Sequence, residues 1–180
     1  MEKRYVRSTA VMAALIASLA AVAAQSQVTK ESIPGIVNFA HVETTVACAG
    51  ATTPAALAEV KKMGYASVVN LRLASEPGAD IDASAAAAKA AGLNFIHLPF
   101  NAASPDPMLV DNFIEAVTDK KNQPAFIHCA SANRAAALWL VKRIVVDKWD
   151  VERASTEAAA LGLTNSALKT FALEQAQARN

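Results

Sequence analysis

The chain has 180 residues, with 17 Lys plus Arg against 16 Asp plus Glu, a net charge of +1. That balance excludes a dedicated nucleic-acid binder, which carries a basic excess. Two cysteines, Cys48 and Cys129, with three histidines and no Cys–x–x–Cys, exclude a disulfide framework and argue against a structural zinc site. Alanine inflates the hydrophobic fraction of 53%. It favours helix but buries little area, so the core must rest on Val, Ile, Leu, Phe and Trp.

The first residues read as a leader rather than as fold. Lys3, Arg4 and Arg7 give a basic start, and Ala10 to Ala24 is apolar but short for a membrane span. Val22–Ala23–Ala24 before Gln25 fits a small-residue cleavage site, with Ala24–Gln25–Ser26 before Gln27 as a second option. Residues 1–24 are therefore expected to be a secretory signal peptide, the alternative being an uncleaved anchor. Residues 25–180 then form one domain with 14 basic and 15 acidic residues, a net charge of −1, and no further spanning segment. The expected location is periplasmic or secreted.

Ile36–Val37–Asn38–Phe39 and Thr44–Thr45–Val46–Ala47 read as short strands. Thr53–Pro54 predicts a helix start, with Thr53 as N-cap, running to Met63 and stopping at Gly64. Ala66 to Leu71 reads as a buried strand, and Glu76–Pro77–Gly78 marks a turn within the loop Arg72–Asp80. An alanine-rich helix is expected from Asp82 to just before Gly92, then a strand over Asn94–Pro99. After the loop Asn101–Pro107, a helix is predicted over Met108–Thr118, with Phe113, Ile114 and Val117 on one face. Ala125–Ile127 is the next strand, and helices over Arg134–Lys148, Asp150–Ala160 and Asn165–Ala178 finish the chain. Strands alternating with helices imply a single α/β domain with a mostly parallel central sheet covered on both faces.

The most informative stretch is His128–Cys129–Ala130–Ser131–Ala132–Asn133–Arg134, set between the apolar run Pro124–Ile127 and the helix-forming run Ala135–Leu140. A tight loop between a strand and a helix points backbone N–H groups and the positive helix end at one small anion. That field favours a thiolate and makes Cys129 a candidate nucleophile. Arg134 can hold two oxygens of a phosphate or sulfate at once. Ala130, Ser131, Ala132 and Asn133 contribute amides, so their conformations matter more than their side chains. Ligands of parallel sheets bind at the carboxyl ends of the strands, where Cys129 stands.

The chain resembles the cysteine-dependent phosphatases of the dual-specificity and protein tyrosine phosphatase superfamily. The resemblance rests on Val68–Val69–Asn70–Leu71–Arg72 with Glu76–Pro77–Gly78, on Phe95–Ile96–His97–Leu98–Pro99–Phe100, and on Phe126 through Arg134, spanning roughly residues 44–145. It is similar in particular to bacterial phosphatase-like domains with a His–Cys–Ala–Ser–Gly–Asn–Arg loop, some of them fused to an NAD kinase. The resemblance implies a protein tyrosine phosphatase-like fold, a phosphorylated substrate, no metal, no organic cofactor, and a phosphocysteine formed on Cys129 while Arg134 clamps the phosphoryl oxygens.

Three departures bear on chemistry. Only four residues separate Cys129 from Arg134, where phosphatases of this kind commonly have five, and four is the spacing of rhodanese-type sulfurtransferases. Ala132 replaces a glycine of the similar bacterial loops; if that position needs positive φ, alanine costs about 1 kcal/mol. Ala135 stands where a leaving-group Ser or Thr is common.

Relatives supply an aspartate as general acid from the loop after the Leu98-type strand. Here Asn101 takes the first place and cannot titrate, and Asp106 has a competing role as a cap before Pro107. Asp111 falls inside the predicted helix. His128 is expected to brace the loop by hydrogen bonding or to be a core histidine. Arg72 is expected to pair with Glu76. Cys48 is either an inert buried thiol or a reversible disulfide partner of Cys129. The functional expectation is an exported phosphomonoester hydrolase. The rivals are a sulfurtransferase using a Cys129 persulfide and a non-catalytic phosphate-binding module.

Overall fold

A computed structural model describes residues 27–42 and 45–179. The expected signal peptide, residues 1–24, lies outside the described residues. Six strands form one sheet: β1 (Val28–Ile33), β2 (Ile36–Val42), β3 (Val46–Ala49), β4 (Ser67–Asn70), β5 (Asn94–His97) and β6 (Ala125–His128), in the order β1-β2-β3-β6-β4-β5. β1–β2 and β2–β3 pair antiparallel, while β3–β6, β6–β4 and β4–β5 pair parallel. The helices are α1 (Leu57–Lys62), α2 (Ile81–Ala91), α3 (Leu109–Thr118), α4 (Asn133–Val145), α5 (Val151–Ala160) and α6 (Ser166–Gln177).

The inner strands β3, β4 and β6 are buried on both faces, which is why they read as largely apolar runs rather than alternating ones. On one face Val69, Leu71, Ile127 and Cys129 pack with residues of α3 to α6. On the other, Val68, Phe126 and Ala47 pack with Leu57 and Val60 of α1 and Ala88 of α2. Helix α4 lies at the centre, buried from Ala135 through Ile144. Its alanines let it sit close to β3 and β6.

The structure corrects the expected elements at their ends and at one strand. β1 carries no apolar periodicity; its inner residues are exposed and polar, and pairing with β2 alone makes it a strand. β3 begins at Val46 rather than Thr44, so Cys48 lies inside it. Thr53 makes no side-chain cap; a 3-10 turn over Pro54–Ala56 precedes α1 instead. The cap of α2 is Asp80, which accepts from Ala83 N at 2.9 Å, rather than Asp82. Helix α4 starts at Asn133 and ends at Val145, and Asp150 and Asn165 cap α5 and α6 from outside. No helix among the described residues is long and apolar enough to cross a membrane.

Candidate active site

The segment from Cys129 to Arg134 leaves the carboxyl end of β6 and enters α4. Cys129 N donates to Ala49 O at 3.1 Å, which extends the β3–β6 pairing by one step and fixes the cysteine. Ala132 then turns the chain with φ 76° and ψ −19°. The left-handed conformation expected at this position is present on an alanine, at a cost of about 1–2 kcal/mol. Its methyl is fully buried beside Gly162, where an added Cβ would stand 3.0 Å from it. Gly162 thus makes room for the Ala132 methyl that the loop buries.

Gly50 provides the second close approach. A Cβ there would sit 3.0 Å from both Ala130 O and Val37 O. Its absence lets Ala51 N donate to Ala130 O at 3.0 Å and Gly50 N to Val37 O. Asn133 closes the loop from the other side. Its Oδ1 accepts from Thr164 N and Asn165 N, each at 2.8 Å, and its Nδ2 donates to Ser131 Oγ at 3.3 Å. The amides of Ala130 and Ser131 donate to no backbone oxygen among the described residues, and the first amides of α4 have no intrahelical acceptor. These are the donors an oxyanion needs.

Arg134 turns inward, with its side chain 13% exposed. Nη1 donates to Glu76 Oε1 at 2.7 Å, to Phe100 O at 2.8 Å and to Leu71 O at 3.2 Å, and Nη2 donates to Glu76 Oε2 at 2.9 Å. Leu71 and Phe100 follow β4 and β5, so three strand ends converge on one guanidinium. Nε–H and one Nη2 hydrogen have no oxygen acceptor among the described residues. Burial alone pulls the guanidinium pKa down; the hydrogen bonds to Glu76 and the neighbouring Cys129, which also bonds Arg134, hold it above the ordinary value. Cys129 itself has no solvent exposure and lies under the loop against the core.

Glu76 is the residue that sequence reasoning missed. The sequence showed it as part of a turn signal and as a partner for Arg72, not as the brace of Arg134. Its carboxylate also accepts from Leu73 N at 2.9 Å and from Arg72 Nε at 3.2 Å, the pairing expected for Arg72. Burial pushes this carboxyl up, but Arg134, the Leu73 amide and Arg72 outweigh it and hold it down to about 2. Arg72 Nη1 donates to Gly78 O, so the turn that carries Glu76 is itself tied to β4.

The structure decides three positions for which the sequence left alternative roles open. His128 is a core histidine: its ring is buried and stacks on Phe126 at 5.7 Å, with the backbone of Gly50 as its polar neighbour. Burial first, then the Arg72 and Arg134 guanidiniums, push its imidazole down to about 3. Asp106 serves as a turn cap, accepting from Met108 N at 2.7 Å, and Asn101 Oδ1 accepts from Ala103 N at 3.0 Å. Asp111 pairs with Arg179 on the surface. Cys48 stands beside Ile127, two residues before Cys129, a diagonal step of about 7–8 Å between Cα atoms. That exceeds disulfide reach, and both thiols are free and buried. Burial raises the Cys48 thiol well above its ordinary value, with the neighbouring Cys129 adding to the effect. Among the described residues no three His, Cys, Asp or Glu side chains gather as a metal site.

Known structures share this fold. No curated protein matches the sequence. TpbA of P. aeruginosa superposes with a TM-score of 0.63 at 20% identity, over 84% of this chain and 89% of that one. A TpbA variant in complex with phosphotyrosine superposes at 0.57 and 18% identity, over 83% and 86%. The core catalytic domain of the PP-IP phosphatase SIW14 from S. cerevisiae gives 0.63 at 17% identity, over 79% and 87%. At these identities the likeness is one of fold. Residues 38–146, more than half of the chain, match the model of the beta-lactamase hydrolase-like protein, phosphatase-like domain. With the strand–Cys129–loop–Arg134–helix unit inside that span, the chain belongs to this phosphatase-like family, within the protein tyrosine phosphatase-like fold.

Proposed function

We propose that the chain is an exported phosphomonoester hydrolase that works through a phosphocysteine on Cys129. The observation that carries this reading is the Arg134 guanidinium, turned onto Cys129 and locked in plane by Glu76 and two strand-end carbonyls. A guanidinium fixed in this way can hold equatorial oxygens without reorganising as charge shifts.

In the first step Cys129 Sγ attacks phosphorus, the S–P bond forms, and the ester P–O bond breaks toward the leaving oxygen. In the second, water attacks phosphorus, phosphate leaves, and the thiolate returns. In this reading no general acid comes from the loop 101–107, where Asp106 accepts from the Met108 amide and Asn101 from that of Ala103. Protonation of the leaving group thus falls to water. Loss of acid catalysis typically costs about 10²–10⁴-fold, so phosphates with good leaving groups are the preferred substrates.

Hydrolysis of p-nitrophenyl phosphate by the wild type, Cys129→Ser and Arg134→Ala tests the reading. Each substitution is expected to abolish measurable turnover. Wild-type turnover by Cys129→Ser overturns covalent catalysis at this residue. A second reading, sulfur transfer through a Cys129 persulfide, is favoured by the four-residue spacing and by the complete burial of the sulfur, which suits a cradle for one sulfur atom. Thiosulfate:cyanide transfer without phosphate ester hydrolysis establishes it in place of the first. Export is tested by mass spectrometry of the mature N-terminus, expected at Gln25 or Gln27; an intact Met1 in the isolated protein contradicts cleavage.

A further inference from the structure

The two flanks of the Cys129 loop are unlike. Toward β4 and β5 the space is filled by Arg134, Glu76, Arg72 and the carbonyls of Leu71 and Phe100. Toward β1 and β2 it is open: a cleft of about 590 Å³ runs from Ser131 and Asn133 to the β1–β2 hairpin, bounded by Leu161, Gly162 and Thr164 on the far side. Its volume falls within the range of small-molecule sites. It meets the loop that carries the oxyanion donors at Ser131 and Asn133, so it adjoins that loop on the flank away from Arg134.

The lining states what the cleft accepts. Its apolar members Ile36, Phe39, Ala40 and Leu161 are buried and form a covered floor. The exposed members are polar: Lys30, Ser32, Asn38, Ser131 and Thr164. The accessible lining is as much polar as apolar, and a ligand that carries hydroxyl groups finds hydroxyl and amide partners among its exposed members. Charge adds a second requirement. The Glu31 carboxylate is turned to His41 Nε2 at 2.8 Å, while Lys30 has no ion-pair partner among the described residues. The cleft thus presents one ammonium free for a second anion.

We propose that this cleft is the leaving-group subsite and takes a polyhydroxylated phosphomonoester that carries a second anionic group, a sugar or polyol bisphosphate. The inference rests on the hydrolase reading for the chemistry, but not for the binding. The subsite orients the ester by its far phosphate, which Lys30 meets, while the near phosphate lies in the loop.

The test uses the full chain with fructose 1,6-bisphosphate, its monophosphate counterparts and p-nitrophenyl phosphate. The expected result is a higher kcat/KM for the bisphosphate than for either monophosphate, and a fall of about fivefold in that preference in Lys30→Ala, the scale of one exposed ion pair. Calorimetry on Cys129→Ser reads binding without turnover. Bisphosphate binding that weakens in Cys129→Ser/Lys30→Ala supports the subsite even where the wild type hydrolyses nothing, and then only the hydrolase reading fails. Hydrolysis of p-nitrophenyl phosphate with equal handling of bisphosphate and monophosphate, unaltered in Lys30→Ala, sinks the subsite and leaves the hydrolase reading standing. Neither hydrolysis nor binding sinks both.

Discussion

The segments that leave the carboxyl ends of β6 and β5 face the same site, yet they are held in opposite ways. The loop after β6 is bound from three directions: Gly50 and Ala51 from β3, Thr164 and Asn165 from the start of α6, and Leu71, Glu76 and Phe100 through Arg134. The loop after β5 is bound largely to itself. Asn101 and Asp106 close local turns, and Asn101 to Ser104 are exposed. Its links to the site run through the backbone of Phe100, whose O accepts from Arg134 and whose N donates to Leu71 O. The difference teaches that, on the proposed reading, the half of the site that would stabilise charge is tied down from several strands, while the loop that would supply a proton is tied only locally. Ground-state placement of the phosphoryl group and assistance to its departure are separable, and this chain has invested in the first.

The largest test of that contrast is Glu76. Glu76→Ala leaves the inward Arg134 and the buried Arg72 without their shared carboxylate. We expect kcat/KM for p-nitrophenyl phosphate to fall about 10²-fold, the scale of a small misplacement of a clamp. The stability loss should be about 2–3 kcal/mol, at the low end for a buried pair because the partners are partly exposed. Glu76→Gln, which retains hydrogen-bond capacity, should recover part of both. An unchanged kcat/KM in Glu76→Ala breaks the link between bracing and chemistry. Kinetics and urea unfolding read the two effects.

Acid should loosen the braced half in two stages. His128 has a folded pKa of about 3 against an ordinary 6.5, so the unfolded chain binds the proton first. Its contribution is present above pH 6.5 and is lost as the pH falls from there toward 3. Glu76 is depressed to about 2 from an ordinary 4.5, so its contribution is present above pH 4.5 and is lost as the pH falls toward 2. Melting temperature against pH should therefore show an upper arm removed by His128→Asn and a lower arm removed by Glu76→Gln. A wild-type curve flat from pH 6.5 to 3 contradicts the assignment to His128.

A smaller effect is expected where α5 meets α6. Gly162→Ala puts a methyl 3.0 Å from the Ala132 methyl, at a φ of 116°. The cost should be about 1–3 kcal/mol. Ala132→Gly alone should change stability by less than about 1 kcal/mol, because relief of the left-handed strain is offset by a lost buried methyl and a freer unfolded chain. Combined, the two changes should cost less than their sum, and strict additivity in a double-mutant cycle refutes the contact. The smallest effect belongs to the other loop: Asp106→Asn should alter kcat by less than about twofold, far below the 10²-fold or more of a lost general acid. A larger fall gives Asp106 a catalytic part that its turn geometry does not.

Much of the fold could be read along the chain because its signals are local. The run Ala125–Phe126–Ile127 before Cys129 and the alanine-rich run after Arg134 specify a strand, a turn and a helix in place. β1 was not legible, since Thr29 to Ser32 are polar and exposed, and only the β2 edge makes them a strand. In the site, Cys129 and Arg134 were legible from spacing, and the strain at Ala132 from the residue type that the turn demands. Glu76 was not: it meets Arg134 across 58 residues, and a carboxylate four positions after an arginine explains itself locally. His128 was ambiguous for a related reason, because adjacency to the cysteine says nothing about which face of β6 its ring takes.

The sequence by itself determined the succession of strands and helices after β1, the cysteine at a strand end, and the arginine at a helix start, because backbone preference and apolar periodicity act over a few residues. The tertiary structure decided which carboxylate locks that arginine, which glycines let the loop close, and which flank stays open. Those outcomes depend on groups brought together by sheet order and burial, where a hydrogen bond or a missing Cβ acts through space rather than along the chain.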